Sequence, residues 1–559
     1  MIIQIIFNYI YILNIFFVGK FFLEKIGLKE NTNSLENFFY GFIIIGFFAL
    51  LINFFIKLDI LFNTFFFIVL TFFSFKNIFN NKIIDKLKES LIILALSLII
   101  LAYSKIHEDS AGYHIPYSNI INDSKIIFGI SNIHFRFGHT SIFQYIDAIG
   151  YNYFLKNSGL ITSTAILVSS VYLFFFKEIK KIKTINAESC FVIFAFSFVI
   201  LRFNRYGDFG IDAQANLYSI LTFYFLVKSI KKSQFNLFLK ALILSMFAFL
   251  QKIFFLPLIF FITLLGFYNF QNKFVVNKTF FFVIIFLSLW SIKNFIVSGC
   301  FLYPVYYTCL DIVGWYSSNL ESYTNAFTIS LQSEAWAKSW NTYYENGIQI
   351  DYKTYLGNFT WLTNWLINHG NVIISKLFFF LILSVLFIFV ISNGKLFFIF
   401  KDNIKYYYNK KFLLLFSICF FLLLSWFLKF PIFRYGTSYI FFFFYFIFLH
   451  FSNRQFKIKK KFIHYGLIIL ISIPITKNIW RIYNDFYAGN FFPEINISKL
   501  TSDIQILKIN DYTIYTTNYY GCFYGNSPCT SEKQNLDNIK IKKKYNYSFI
   551  NLKSLSTHN

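Results

Sequence analysis

Residues 103–145 read YSKIHEDSAGYHIPYSNIINDSKIIFGISNIHFRFGHTSIFQY. This stretch gathers Glu108 and Asp109, four histidines (His107, His114, His134, His139) and Arg136, in a chain that is otherwise mostly apolar runs. Four such runs precede it and about ten follow. A loop this long and polar, so early in an apolar chain, is more than a connector.

The rest of the chain supplies the context. Of 559 residues, 57% are hydrophobic and 23% aromatic, while only 14% are charged. Ordinary soluble domains carry about 25% charged residues, so that class is excluded. Apolar runs of about 17 to 20 residues suffice to cross a hydrocarbon layer of roughly 30 Å. The expected fold is therefore an all-α polytopic membrane protein with about 13 or 14 transmembrane helices. The expected spans are 2–18, 38–56, 60–76, 89–103, 159–176, 188–202, 212–228, 237–251, 253–269, 279–297, 373–391, 411–428, 435–451 and 462–477. Met1–Val18 lacks a basic leader and a small-residue cleavage site, so it reads as the first span rather than a signal peptide.

The formal charge of +25 suggests nucleic acid only in a soluble protein. Here the lysines cluster in short loops: Lys76–Lys88, Lys177–Lys183, Lys228–Lys232, Lys395–Lys411 and Arg454–Lys461. With this span count all five clusters fall on one side, which is cytoplasmic by the positive-inside rule, and no nucleic-acid partner is implied. The large loops at about 104–158 and 298–371, and the tail, then face outward. The alternation is weakest at 237–269, where Gln251, Lys252 and Pro257 interrupt one apolar run. Two short spans meeting at the outer face preserve it.

The 298–371 loop carries Trp315, Trp336, Trp340, Trp361 and Trp365. These read as an interfacial aromatic belt on surface helices, or as a platform that stacks on an acceptor. Two domains are expected: a transmembrane unit over 1–480, and a small α/β or β-rich extracytoplasmic unit over 481–559, where alternating runs such as DYTIYTTNYY begin. In GCFYGNSPCT, Gly525 and Pro528 favour a turn that brings Cys522 to Cys529, and an oxidising periplasm favours their disulfide. Cys300 and Cys309 are a second candidate pair, whereas Cys190 and Cys419 lie within spans as packing residues. There is no P-loop and no CxxC pair, hence no evident site for a cytosolic nucleotide-sugar.

The topology sends one set of ionisable side chains to the outer ends of the spans. The acids are Glu108 and Asp109, with a second acidic site at Asp208 and Asp212. The bases are Lys252, Lys293, Arg434, Arg136 and Arg205. A charge at membrane depth costs roughly 3 kcal/mol, so these residues need one hydrated or paired cavity. Such a cavity suits a lipid-phosphate-linked sugar donor: the cations hold the phosphate, and a carboxylate takes the proton of the attacking hydroxyl. Asp109 or Glu108 is the candidate base, and Tyr113, His114 and His139 are candidate substrate contacts. Each residue also has a plainer reading, as helix-terminus solvation, as an arginine anchor or as a loop histidine. Convergence on one side favours the functional one.

The acid pair, YHIPYSN (113–119), GISNIHFRFG (129–138), SIKNFIVSGCFLYP (291–304), FRYGTSY (433–439) and the Cys-to-PCT tail together resemble a group of bacterial membrane proteins. That group is related to the GT-C superfamily of polyprenyl-phosphate-dependent glycosyltransferases, which includes protein mannosyltransferases, aminoarabinose transferases and oligosaccharyltransferases. The resemblance implies a helical core, a catalytic acid in the first outer loop at Asp109 or Glu108, and inverting transfer of a hexosyl or pentosyl group. It also implies a bacterial inner-membrane location with the site facing the periplasm, a polyprenyl-phosphate sugar donor, a glycan, lipid or protein acceptor, and contact with membrane lipid. The sequence HEDSAG departs from a D-x-D pattern, which leaves open both the identity of the base and a divalent cation cofactor. A surface-polysaccharide polymerase or ligase and a lipid-linked-glycan flippase or exporter remain rival readings.

Overall fold

The computed structural model describes residues 2–29, 33–79, 84–102, 109–185, 187–202, 210–232, 234–318, 325–345, 347–357, 359–391, 410–451, 456–457, 460–487, 504–510, 512–517, 521–522 and 525–553. The helices begin with α1 (Ile2–Lys25), α2 (Glu36–Asn53), α3 (Ile60–Phe79) and α4 (Ile84–Ala102). Two short helices, α5 (Ile115–Asp123) and α6 (Ile142–Gly150), lie within the polar loop. There follow α7 (Gly159–Lys180), α8 (Ala187–Arg202), α9 (Asp212–Lys232), α10 (Phe235–Gln251), α11 (Leu256–Val275) and α12 (Lys278–Ser298). The second large loop holds α13 (Ala326–Ala337), α14 (Tyr352–Gly357) and α15 (Trp361–Trp365), and then come α16 (Asn371–Ile391), α17 (Lys410–Lys429), α18 (Phe433–Phe451) and α19 (Lys460–Tyr487). Each of the fourteen apolar segments lies on one of these helices. Among the described residues, eight helices are long and apolar enough to cross a membrane.

Local chemistry sets the breaks. At Lys252 the backbone is extended (φ −151°, ψ 121°), and Pro257 starts the next helix, so the run 237–269 is two helices. Gly299, at φ +79°, ends α12 in the left-handed conformation that favours glycine. Ser141 caps α6: its hydroxyl accepts the Phe143 N–H, while Gln144 Oε1 accepts the Ser141 N–H at 2.8 Å.

Charges divide between the two ends of the bundle. At one end Glu178 meets Lys181 (2.6 Å) and Lys228 (3.1 Å), Lys228 also meets Glu188 (3.3 Å), and Lys177 pairs with Glu89. The Lys240–Glu36 pair (2.7 Å) is enclosed at the same end. At the other end the two large loops fold over the helix termini.

The tail is built of strands, as its alternation suggests. Strands β1 (Thr184–Ile185) and β2 (Phe456–Lys457) pair between helices. In the tail, β3 (Gln505–Ile509) pairs antiparallel with β4 (Tyr512–Thr516), which pairs parallel with β5 (Cys529–Thr530); β6 (Ile539–Lys544) and β7 (Tyr547–Leu552) form a separate hairpin. In β6, Ile539 and Ile541 point inward while the lysines between and after them face out. The last described helix, α19, runs to Tyr487, and the described residues resume at 504. The tail docks on the first loop: Phe128 and Ile550 exchange backbone bonds with the tail and the loop (Phe128 N–H to Ser548 O, 3.0 Å; Ile550 N–H to Phe128 O, 2.9 Å), and the Cys522 N–H donates to Ala111 O at 3.0 Å. Cys522–Cys529 and Cys300–Cys309 are both disulfides.

Candidate functional site

A cavity of about 720 Å³ opens where the first loop, the second loop and the ends of α9, α10, α11, α12, α17 and α18 meet. Its charged centre is a chain of alternating sign. Arg434, in the first turn of α18, sets Nη1 and Nη2 each 3.5 Å from Asp109 Oδ2 and Nε 3.4 Å from Asp212 Oδ2. Lys252, in the break between α10 and α11, bonds Asp212 Oδ1 and lies 3.2 Å from the centroid of the Tyr435 ring. Two carboxylates and two cations thus balance. Their side chains are 17–30% exposed, which leaves them accessible from the cavity.

The alignment is held from behind by Asn216. Its amide donates to Asp212 O (2.8 Å) and Arg434 O (3.0 Å), and its carbonyl accepts the Ser438 N–H at 3.1 Å. One side chain therefore fixes the start of α9 against α18. The sequence reading missed Asn216; the only available signal was an amide one turn after Asp212.

Arg136 lines the same cavity, stacked on Tyr113 (5.3 Å) and Phe135 (4.8 Å). Tyr113, His114 and His139 also line the cavity. Burial pushes His114 down to about 4 and His139 down to about 3, so both rings are neutral near pH 7. Burial likewise raises the Tyr113 hydroxyl, which stays protonated.

Of the expected site residues, Asp109, Asp212, Lys252, Arg434, Arg136, Tyr113, His114 and His139 thus come together around one cavity. Lys293 does not join them. It is fully enclosed against Trp290 (4.3 Å) and Tyr117 (5.7 Å) and donates to Asn294 (3.3 Å), while its helix neighbours Trp290 and Asn294 reach the cavity. Its rotation around α12 places it behind the wall. Glu108, Asp208 and Arg205 lie outside the described residues.

The second loop adds Glu334, which the sequence did not single out, and brings in Trp336 of the expected aromatic set. Glu334 on α13 bridges Lys338 (2.7 Å) and Lys429 (2.8 Å), pinning α13 to the end of α17, and Trp336 lies 5.8 Å from the Arg434 guanidinium. The segment closed by the Cys300–Cys309 disulfide gives the cavity Tyr303, Tyr306 and Tyr307. Among the described residues no group of three or more His, Cys, Asp or Glu side chains is placed to hold a metal ion.

Fold and site define a helical bundle, with helices apolar enough to cross a membrane, that carries a charged and aromatic cavity at one end. The chain belongs to the family described as Domain of unknown function (DUF8201), whose model matches residues 1–441. That span holds every residue of the charged centre. No curated protein and no solved structure matches the chain.

Proposed function

We propose that the protein is an integral membrane glycosyltransferase that moves a sugar from a polyprenyl-phosphate-linked donor to an acceptor outside the cytoplasm, in the assembly of a cell-surface glycan. The apolar helices cross the inner membrane, and the end bearing Glu178, Lys181 and Lys228 faces the cytoplasm. The observation that carries this reading is the meeting of Asp109, Asp212, Lys252 and Arg434 from four separate segments around one cavity that also has apolar and aromatic walls.

In this reading Asp109 accepts the proton of the acceptor hydroxyl as that oxygen bonds the anomeric carbon. The bond to the donor phosphate breaks, and Lys252, Arg434 and Arg136 take up the charge of the departing polyprenyl phosphate. Arg434 touches both carboxylates and so couples the base to the leaving-group side. The aromatic residues of the second loop flank the acceptor.

The test is release of free polyprenyl phosphate by purified protein in lipid, over a panel of polyprenyl-phosphate sugars, for wild type and Asp109→Asn. Release by wild type that falls at least 100-fold in Asp109→Asn is expected. Equal release by both removes Asp109 from the role of base, and no release with any donor removes the transferase reading.

A further inference from the structure

Four side chains of the cavity lining carry a buried polar atom without a hydrogen-bond partner among the described residues: Gln251, His139, Thr140 and Arg434. Arg434 belongs to the charged centre and Thr140 adds a hydroxyl next to His139, which leaves Gln251 and His139 as the two larger neutral groups. Gln251, the last residue of α10, is fully buried, lines the cavity, and has no partner among the described residues for either its amide nitrogen or its amide oxygen. His139, from the turn before α6, lines the same cavity and has no partner for Nε2 among the described residues. The ring is wedged between Tyr303 (5.2 Å) and Phe135 (6.1 Å), so it is held in place without polar contacts at Nε2. Other unpartnered buried atoms among the described residues, such as those of Asn8, Asn14, Ser197 and Ser384, lie in the helical bundle away from the cavity lining.

A buried amide left unpaired is costly, and in a folded protein such groups call for an explanation. Gln251 offers a donor and an acceptor, and a neutral imidazole offers one of each. Neither carries charge, in contrast to the centre formed by Asp109, Arg434, Asp212 and Lys252. A phosphate finds no cation in these two groups, and an alkyl chain leaves them unpaired. A ring bearing several hydroxyls, each both donor and acceptor, satisfies both.

We propose that Gln251 and His139 form a neutral recognition wall for an uncharged polyhydroxylated ring, with the cationic residues beside it reserved for phosphate. This rests on the function proposed above, in which the ring is the transferred sugar, and it assigns recognition of the sugar hydroxyls to these two residues.

The experiment compares wild type, Gln251→Leu and His139→Phe in lipid nanodiscs. The probes are a bare long-chain polyprenyl phosphate and the same lipid phosphate carrying a hexose, a pentose or an N-acetylhexosamine. Wild type is expected to bind at least one glycosylated probe more tightly than the bare one. Each substitution is expected to cut that preference by about 10-fold while leaving affinity for the bare phosphate unchanged. Gln251→Leu removes an unpaired polar group, so its Tm is expected to equal or exceed that of wild type; a purely structural role predicts a lower Tm. An unchanged preference for glycosylated probes in folded Gln251→Leu and His139→Phe overturns the proposal. If no polyprenyl phosphate binds at all, the transferase reading fails, and the wall is judged by saturation-transfer NMR with free methyl glycosides. Signals lost in Gln251→Leu then sustain it, and absence of signals in wild type overturns it.

Discussion

Arg434 is the side chain on which the charged centre turns, because it touches both Asp109 and Asp212. A guanidinium presents a planar fork, whereas an ammonium is a point charge that cannot serve both carboxylates in this geometry. Arg434→Lys is therefore expected to lower the rate of polyprenyl phosphate release at least 10-fold, and Arg434→Met by about 2–4 kcal/mol of transition-state stabilisation, as for loss of a preorganised donor. Equal rates for Arg434→Lys and wild type would detach the fork from the mechanism. A second residue-scale expectation concerns pH. His134 Nδ1 accepts the Arg136 backbone N–H at 3.0 Å, so the neutral ring carries its proton on Nε2, which faces Glu532 Oε1 of the tail at 3.5 Å. Burial pushes His134 down to about 3 and Glu532 up to about 7. The Glu532 contribution to docking is full below its usual value of 4.5 and is lost as pH rises through about 7. The His134 contribution is full above its usual 6.5 and is lost as pH falls through about 3. Between about 4.5 and 6.5 the two opposing slopes cancel, so docking of the tail should be level there and weaken on both sides; Glu532→Gln should remove the alkaline decline and leave docking that strengthens from about 3 up to about 6.5. Amide-exchange protection of residues 529–544 from pH 4 to 8.5 checks this, and an identical alkaline decline in Glu532→Gln would assign it to another group.

At the scale of elements, Gly299 stops α12 and starts the segment that delivers Tyr303 to the cavity. A Cβ there would lie 2.4 Å from Tyr316 Cβ, in a left-handed backbone that L side chains rarely adopt. Gly299→Ala should destabilise the protein by about 1–3 kcal/mol, read as a lower Tm, and should weaken donor turnover with it. An unchanged Tm would mean that α12 ends elsewhere. Elements of this kind were legible in the chain. Long apolar runs have few alternatives to helix, and the interruption at Gln251, Lys252 and Pro257 marked a real break. The rotation of a helix was not legible. Lys293 and Asn294 are adjacent, yet about 100° of helical turn puts one behind the wall and the other on it. Likewise Glu334 looks like an ordinary partner of Lys338 four residues on, and only the fold brings Lys429 to it. The site was therefore readable as a set of charges at helix ends with His139 beside them, whereas the Asn216 clamp and the place of Gln251 on the cavity lining were not.

On the scale of the whole molecule, the tail is a brace for the first loop. Cys522 holds Ala111, two residues from Asp109; Glu532 meets His134, two residues from Arg136; and the Cys522–Cys529 disulfide ties the first grip to β5, just before the second. A chain truncated after Tyr487 is expected to keep its helical bundle, seen as unchanged helical circular dichroism, yet to lose most polyprenyl phosphate release. Cys522→Ser with Cys529→Ser is expected to fall between the two, and full activity in the truncated chain would reduce the tail to a bystander. The brace also has a bearing on biosynthesis. The tail residues that grip the first loop leave the ribosome some 400 positions after their partners, a delay on the order of 20–80 s at 5–20 residues per second. Throughout that interval the bundle can assemble while its cavity remains unsecured. In the topology and function proposed above, the newborn protein acquires its chemistry only once its final strands have crossed the membrane and been oxidised, so that an unfinished copy is present but chemically silent.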